Sequence, residues 1–410
     1  MRNQTTRLNN ALLEFQKHFK INNSANDKKQ NQEKIAIISA PGRTEISGNH
    51  TDHQKGCVLA AAINLDILLL AVPNNSNYIN LYSEGFGMQK INLDKLEKDK
   101  HKNDTEALIK GVAAWFKKNN YTISGFDGYL TSDVIVGSGL SSSAAFEIAI
   151  GGALNFLFNN NSIKPVQLAL AGQYAENNYM NKASGLMDQT ASAVGGFVFI
   201  DFKNQTKPII KPIQFNLKQA GYDLCIVDVH ASHADLTKAY SEIPQEMKMV
   251  AKFFGKNVLR EVNQTDFFKN ISKLRLKVGD RPVLRAIHFF NENQRVLEQK
   301  KYLETNNFAG FLTQVRSSGN SSYKYLQNIY AYPENQAISI GYALSEKILC
   351  KNSAQQAAIR VHGGGFAGTI LAFVPHDILK TYKTEMEKIF GNNSCHVLQI
   401  RNTGVYGQYI

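Results

Sequence analysis

A glycine–serine run that leads at once into an apolar helix is the strongest constraint in this sequence. GSGLSSSAA occupies residues 137–145, and FEIAIGGALNFLF behind it places Phe146, Ile148, Ala149, Leu154 and Phe156 at roughly helical spacing. A helix start leaves backbone N–H groups without partners, and with the helix dipole they offer partial positive charge to an anion. Gly137 and Gly139 permit a tight backbone path, while the hydroxyls of Ser141, Ser142 and Ser143 can bond oxygen or ligate a cation. The segment holds no lysine, so it is not a Walker A loop, and a different class of phosphate site is expected. In isolation, a serine-capped core helix after a glycine turn would read the same way.

The chain has 410 residues, 43% hydrophobic and 20% charged, which suits a soluble globular protein with two domains. Its longest apolar run, CVLAAAINLDILLLAV, is broken by Asn64 and Asp66, and MRNQTTRLNN at the N-terminus has no apolar signal core. A cytoplasmic protein without membrane association is expected. Cys57, Cys225, Cys350 and Cys395 lie far apart with no CxxC pair, against both a disulfide framework and a structural zinc site. The formal charge of +12 suits anionic ligands, but the lysines are scattered and form no nucleic-acid motif. Nothing in the sequence distinguishes a monomer from a homodimer.

Periodicity predicts a helix over 7–20, a polar linker over 21–34 and a strand over 34–40 that ends at Pro41-Gly42. Strands are expected in VLAAAINLDILLLAV, YINLYS and FDGYLTS before the serine loop. Helices dominate 164–350, interrupted by GGFVFIDF and YDLCIVDVH, and the last strands come at AAIRVHGGGFAGTILAFV. This is an α+β pattern and not regular βαβ alternation.

Three further segments carry chemistry. GRTEISGNHTDHQKG at 42–56 packs Arg43, Asn49, His50, Asp52 and His53 into what reads as a loop after a strand. His50 and Asp52 suit sugar hydroxyls, and Arg43 supplies a fixed charge. A metal cluster of His50, Asp52 and His53 with His230, His233 and Asp235 is the alternative, as is a plain polar turn. SGLMDQ at 184–189 carries Asp188, which alone reads as an N-cap or surface residue. VHGGGFAGTI at 361–370 reads either as a hairpin or as a place where backbone approaches a ligand.

In this order the four segments resemble the GHMP small-molecule kinases, and among them the galactokinases. PGRTEISGNHTDHQKG resembles the signature around GEHTDY, GSGLSSSAAFEIA the second motif, SGLMDQ the CGIMDQ turn, and VHGGGFAGTI the third motif with GGGFGG. RAIHFFNENQRV resembles a further galactokinase helix, so the similarity runs from about residue 34 to about 375.

The resemblance implies a two-domain α+β architecture: an N-terminal ribosomal-S5-like domain over 1–215 and a C-terminal GHMP-type domain over 216–410, with the active site in the cleft between them. ATP and magnesium are implied, with a small-molecule sugar as acceptor and no nucleic-acid or membrane partner. Asp188 matches the acceptor of the sugar C1 proton, and Arg43 the residue that keeps Asp188 ionised and stabilises charge on the transferred phosphoryl group. Gly137, Ser138, Gly139, Leu140, Ser141, Ser142, Ser143 and Ala144 match the ATP loop. Ser143, with Ser142 as the near alternative, and Glu176 match the magnesium ligands. Asn49, His50, Asp52, Gly185 and Tyr240 match sugar contacts.

Several positions depart from the family pattern. Asn49 stands where galactokinases have a glutamate facing the sugar C6 hydroxyl, which removes a charge that would repel a C6 carboxylate and makes galacturonate an alternative acceptor. N-acetylgalactosamine is another. Ile135 replaces a proline, Ser184 a frequent cysteine, and KAYSEIPQE the SEYNxRR-like segment that would support Tyr240. Some galactokinase relatives act only as galactose sensors; those lose residues from the serine loop, which is complete here.

Overall fold

The computed structural model describes residues 4–19, 34–99, 104–135, 137–182, 184–205, 207–230, 236–349, 357–366 and 368–410. Helix α1 (Gln4–His18) precedes strands β1 (Ala36–Ser47), β2 (Cys57–Pro73), β3 (Tyr78–Ser83) and β4 (Gly87–Asn92). Helix α2 (Thr105–Lys118), strand β5 (Phe126–Ser132), helices α3 (Ser142–Phe158), α4 (Pro165–Tyr179) and α5 (Met187–Val194) follow, then strands β6 (Phe197–Asp201) and β7 (Ile209–Ile213). The remainder comprises β8 (Tyr222–Asp228), α6 (Thr237–Phe253), α7 (Gln264–Lys269), α8 (Ile271–Val278), α9 (Asp280–Glu304) and α10 (Phe308–Ser321). It ends with α11 (Ala337–Leu349), β9 (Ala358–Val361), β10 (Thr369–Pro375), α12 (Leu379–Phe390), β11 (Cys395–Leu398) and β12 (Tyr406–Tyr409).

Two sheets organise these elements. The first runs β12-β1-β2-β5-β3-β4, with β6 on the first half of β2 and β7 beside β6; the second runs β11-β8-β10-β9. All pairings are antiparallel except β3 with β5. A cut at residue 215 separates the two sheets apart from β12, which returns to pair with β1.

Burial follows the apolar periodicity. Helix α2 starts at Asp104, whose carboxylate accepts from the N–H groups of Glu106 and Ala107, and it buries Ile109, Val112 and Phe116. These join Leu69, Leu81, Ile148 and Leu154 in the main core between the first sheet and helices α2 to α5. Helix α1 lays Ala11 and Phe15 on the other face, against Ile37, Leu68 and Leu70. Val227, Ile370, Tyr382 and Met386 pack the second sheet on α11 and α12, while Ile243, Met247, Leu274 and Phe289 fill a separate helical core. Asp66, one of the two interruptions of the apolar run, is paired with Arg7 and Arg401 and so ties α1 and the C-terminal segment to β2. Among the described residues no helix is long and apolar enough to cross a membrane.

One sequence expectation is overturned in β1. The strand passes through Pro41-Gly42 and continues to Ser47, with register shifts against β2 between Pro41 and Arg43 and between Glu45 and Ser47. A bulge absorbs the missing proline N–H, so the strand bends and does not end. Arg43, Thr44 and Glu45 therefore stand on a rigid, fully buried strand, and only Gly48–Gly56 forms the loop. The linker expected over 21–34 lies outside the described residues except for Lys34.

Candidate active site

The site is assembled around the end of β1, where the first sheet meets α3, α5 and the β9–β10 turn. Before α3 the backbone alternates: Gly137, Gly139 and Ser141 all have positive φ, at 81°, 73° and 57°. This alternation turns successive N–H groups towards one side, and α3 begins at Ser142 without a side-chain cap on its first turn. A Cβ on Gly137 would meet nothing within 4 Å, so the loop faces open space there, whereas one on Gly139 would lie 3.2 Å from His362 Nδ1. Leu140 is buried, Ala144 lies in the first turn of α3, and Ser138 is tied to Ile135 O at 2.8 Å. The serine run therefore has the shape of an anion cradle, with its helix start uncapped by a side chain.

Asp188 stands in the first turn of α5 and faces this cradle. Arg43 grips it with two parallel bonds, Nε to Oδ1 at 2.7 Å and Nη2 to Oδ2 at 2.6 Å. The third guanidinium nitrogen donates to Gly139 O, and the Ser141 hydroxyl donates to Asp188 Oδ2. Burial pushes the Asp188 carboxyl upwards, but the Arg43 charge and the bonds from Arg43 and Ser141 outweigh it, and the net shift is downwards. Burial likewise opposes the Arg43 charge and is outweighed by Asp188 together with Glu45 and Glu176, so the guanidinium shifts up. Asp188 is held ionised, with its side chain 29% exposed towards the cleft.

Deeper along α3, Ser143 Oγ donates to Glu176 Oε1 at 3.1 Å, and Lys182 Nζ reaches the same oxygen at 2.5 Å. Gln189 donates to Glu176 Oε2 at 3.2 Å and to Glu147 Oε2 at 3.0 Å. Burial and the neighbouring Glu176 push the Glu147 carboxyl well above its usual range. Gln189 closes the SGLMDQ motif, whereas Lys182 lies two residues before it and nothing in its own pattern marks it.

The other wall is the 48–56 loop. A Cβ on Gly185 would lie 2.9 Å from Asp52 Oδ2, so the 184–189 turn and the 48–56 loop abut there. His50, at φ 56°, donates from Nε2 to Gly364 O at 3.0 Å; burial and His53 pull its imidazole down to about 4, so it is neutral. Tyr240 donates to Gly365 O at 2.8 Å and lies under Gly364, where a Cβ would approach its ring to 2.5 Å. VHGGGFAGTI is thus a hairpin between β9 and β10, and its turn carbonyls hold His50, Asn49 and Tyr240. Asn49 is buried, with one amide N–H on Glu45 Oε1 at 2.9 Å and the other on Gly363 O at 2.5 Å.

Helix α9 supports this loop from behind. His288 donates to Asn49 O at 3.0 Å, and Glu292 accepts from Ser47 Oγ at 2.7 Å and from Gly48 N at 3.0 Å. Arg295 pairs with Glu292 at 2.6 Å and, with His288, Arg360 and Ser318, outweighs burial, holding that carboxyl below its usual range. These residues lie in RAIHFFNENQRV, whose resemblance to a family helix was visible while its contacts were not. The metal alternative does not assemble among the described residues, which hold no group of three or more His, Cys, Asp or Glu suited to a metal; His233 and Asp235 lie outside them.

Comparison with known proteins agrees with this geometry. The GHMP kinases N terminal domain matches residues 107–196, and the galactokinase galactose-binding signature matches residues 27–73. A galactokinase of Glaesserella parasuis serovar 5 is 31% identical over 350 residues, 83% of this chain and 85% of its own length. The chain belongs to the galactokinases. A galactokinase of Actinobacillus pleuropneumoniae serotype 3 is 31% identical over 347 residues, covering 83% of this chain and 85% of that one. The galactokinase of Lactococcus lactis, solved with galactose, superposes with a TM-score of 0.78 at 23% identity, over 96% of this chain and 99% of that one. A mevalonate kinase superposes at 0.63 with 15% identity, over 89% and 99% of the two chains, so the architecture is that of GHMP kinases generally. The galactokinase fold is the α+β two-domain arrangement expected, and the chain is a sugar kinase.

Proposed function

We propose that this galactokinase transfers the γ-phosphoryl group of ATP to the C1 hydroxyl of galactose, giving galactose 1-phosphate and ADP. The bidentate Arg43–Asp188 pair at the mouth of the α3 cradle carries the reading, because it puts an ionised carboxylate beside an anion site. A sugar held by His50, Asp52, Gly185 and Tyr240 presents its hydroxyl to Asp188, which accepts the proton as the oxygen attacks phosphorus. The departing bond is that between phosphorus and the ADP oxygen. Phosphoryl transfer has a loose transition state, so alignment and charge neutralisation contribute more than basicity. Arg43 and the N–H groups from Gly137 to Ala144 supply that positive field.

Magnesium fits the same end of the cleft. Ser143 Oγ and Glu176 Oε1 are hard oxygen donors 3.1 Å apart, with the Ser142 hydroxyl adjacent in sequence, and the Lys182 ammonium already sits on that carboxylate. Bound there, the ion would neutralise phosphate charge in place of the absent Walker lysine. Glu176→Gln is expected to raise the magnesium concentration for half-maximal rate about 10–100-fold; an unchanged magnesium titration would remove Glu176 from the ligand set.

Galactose is favoured over galacturonate because the relatives that match across 83% of the chain are galactokinases. A carboxylate, Glu45, still lies against the Asn49 amide, where Arg360 pairs with it. ADP release with ATP and magnesium, offering galactose, N-acetylgalactosamine, galacturonate and glucose, tests the reading. Galactose is expected to be the best acceptor; preference for galacturonate, or no release with any of the four, would overturn it.

A further inference from the structure

Strands β1 and β9 meet through one buried carboxylate. Asn49 Nδ2 and Arg360 Nη2 both donate to Glu45 Oε1, each at 2.9 Å, and the three residues are 1%, 0% and 7% exposed in the order Asn49, Arg360, Glu45. Asn49 has committed both N–H groups, to Glu45 and to Gly363 O, and its Oδ1 accepts from Asn328 Nδ2 at 2.6 Å. Asn328 also donates to Gly364 O at 3.0 Å, the carbonyl that His50 uses. Arg360 Nε and Nη1 are buried and have no partner, so Glu45 is the anion that balances this guanidinium.

We propose that Glu45 and Asn49 act as one unit: Glu45 is a positioning residue that, keyed by Arg360, sets the sugar loop against the triple-glycine turn, and residue 49 is neutral because the carboxylate stands at 45. The inference rests on the functional reading above, since it takes these two loops to be the sugar walls. It also accounts for the departure at 49. A glutamate there would place a second carboxylate against Glu45 in a buried site, where like charges cannot both ionise without large cost. Removing Glu45 alone is equally unfavourable, because it leaves a fully buried guanidinium uncompensated.

A double-substitution cycle tests the unit. Asn49→Glu and Glu45→Gln are each expected to lower Tm and to raise the galactose KM by about ten-fold or more, a loss of the size expected for an unpaired buried polar group, while the ATP KM stays within about two-fold. The combined Glu45→Gln, Asn49→Glu variant restores one carboxylate and is expected to lose less than the sum of the single losses, although Gly363 O remains without its Asn49 donor. Asn49→Ala, which adds no charge and leaves the Glu45–Arg360 pair intact, is expected to fold and to raise the galactose KM alone. The proposal is overturned if Asn49→Glu keeps the parental Tm and galactose KM, if the double variant shows the plain sum of the single losses, or if Asn49→Ala leaves the galactose KM unchanged. Absence of galactose turnover in the parent would instead defeat the functional reading, and the Tm cycle would still report the charge coupling.

Discussion

Asp188→Asn is expected to reduce turnover by about 10²–10⁴-fold while the fold and ATP affinity are retained. The range is that of a positioned general base or acceptor. Asparagine keeps the shape of the side chain but has one acceptor oxygen in place of two, so it meets an Arg43 fork that presents two parallel N–H groups. One of those bonds is lost, Ser141 loses its acceptor when the amide nitrogen takes the Oδ2 position, and no proton can be taken from the sugar. Arg43 still donates to Gly139 O, which limits the structural damage. The effect should appear in kcat and in kcat/KM alike. Near-parental turnover in a folded variant would remove Asp188 from the chemistry.

The pair also shapes the response to acid. The Asp188 pKa is lowered on folding, so its contribution to stability is present above the ordinary aspartate value of 3.8 and disappears as pH falls below it towards the folded pKa. Asp188→Asn removes that dependence. The parental protein should therefore lose more stability than the variant between pH 4 and lower values, read as the difference in Tm at each pH.

What was legible in the sequence was local. The serine loop, the Asp188 turn and the glycine turn each depend on residues within ten positions of one another, where glycine, serine and aspartate speak directly for backbone shape and capping. The apolar runs of β2 and α3 were equally plain, because burial on both faces needs uninterrupted hydrophobic sequence. What escaped was set by distance. Glu45 meets Arg360 across 315 residues, Asn49 meets Asn328 across 279, and Thr44 holds His362 across 318. No short window contains both partners. The passage of β1 through Pro41-Gly42 escaped for a related reason: the pairing with β2 holds the strand together on both sides of a bulge, and that partner is invisible in the dipeptide. β12 was missed because Tyr406–Tyr409 carries no apolar alternation and gains its pairing from β1.

Arg43→Met is expected to separate the two roles of the guanidinium. Loss of a preorganised cation at the transferring phosphoryl group should lower kcat by about 10²–10³-fold, the scale seen when one electrostatic donor is removed from an active site. The second consequence is a displacement along the pH axis. In the parent, burial raises the Asp188 carboxyl, and Arg43 together with Ser141 and Lys182 more than reverses it. Without Arg43 the burial contribution remains, opposed by Ser141 and, more weakly, by Lys182, so the Asp188 pKa moves up. The acid limb of kcat/KM should therefore shift to higher pH in Arg43→Met and stay near the parental position in Arg43→Lys, which keeps the charge but cannot make the two-bond fork. Arg43→Lys should then fall between parent and Arg43→Met in rate, because it restores the field at Asp188 without the alignment. An unmoved acid limb in Arg43→Met would mean that Asp188 is not the group titrating in catalysis, while a moved limb with little loss of kcat would confine Arg43 to holding Asp188 and leave the phosphoryl charge to the α3 cradle.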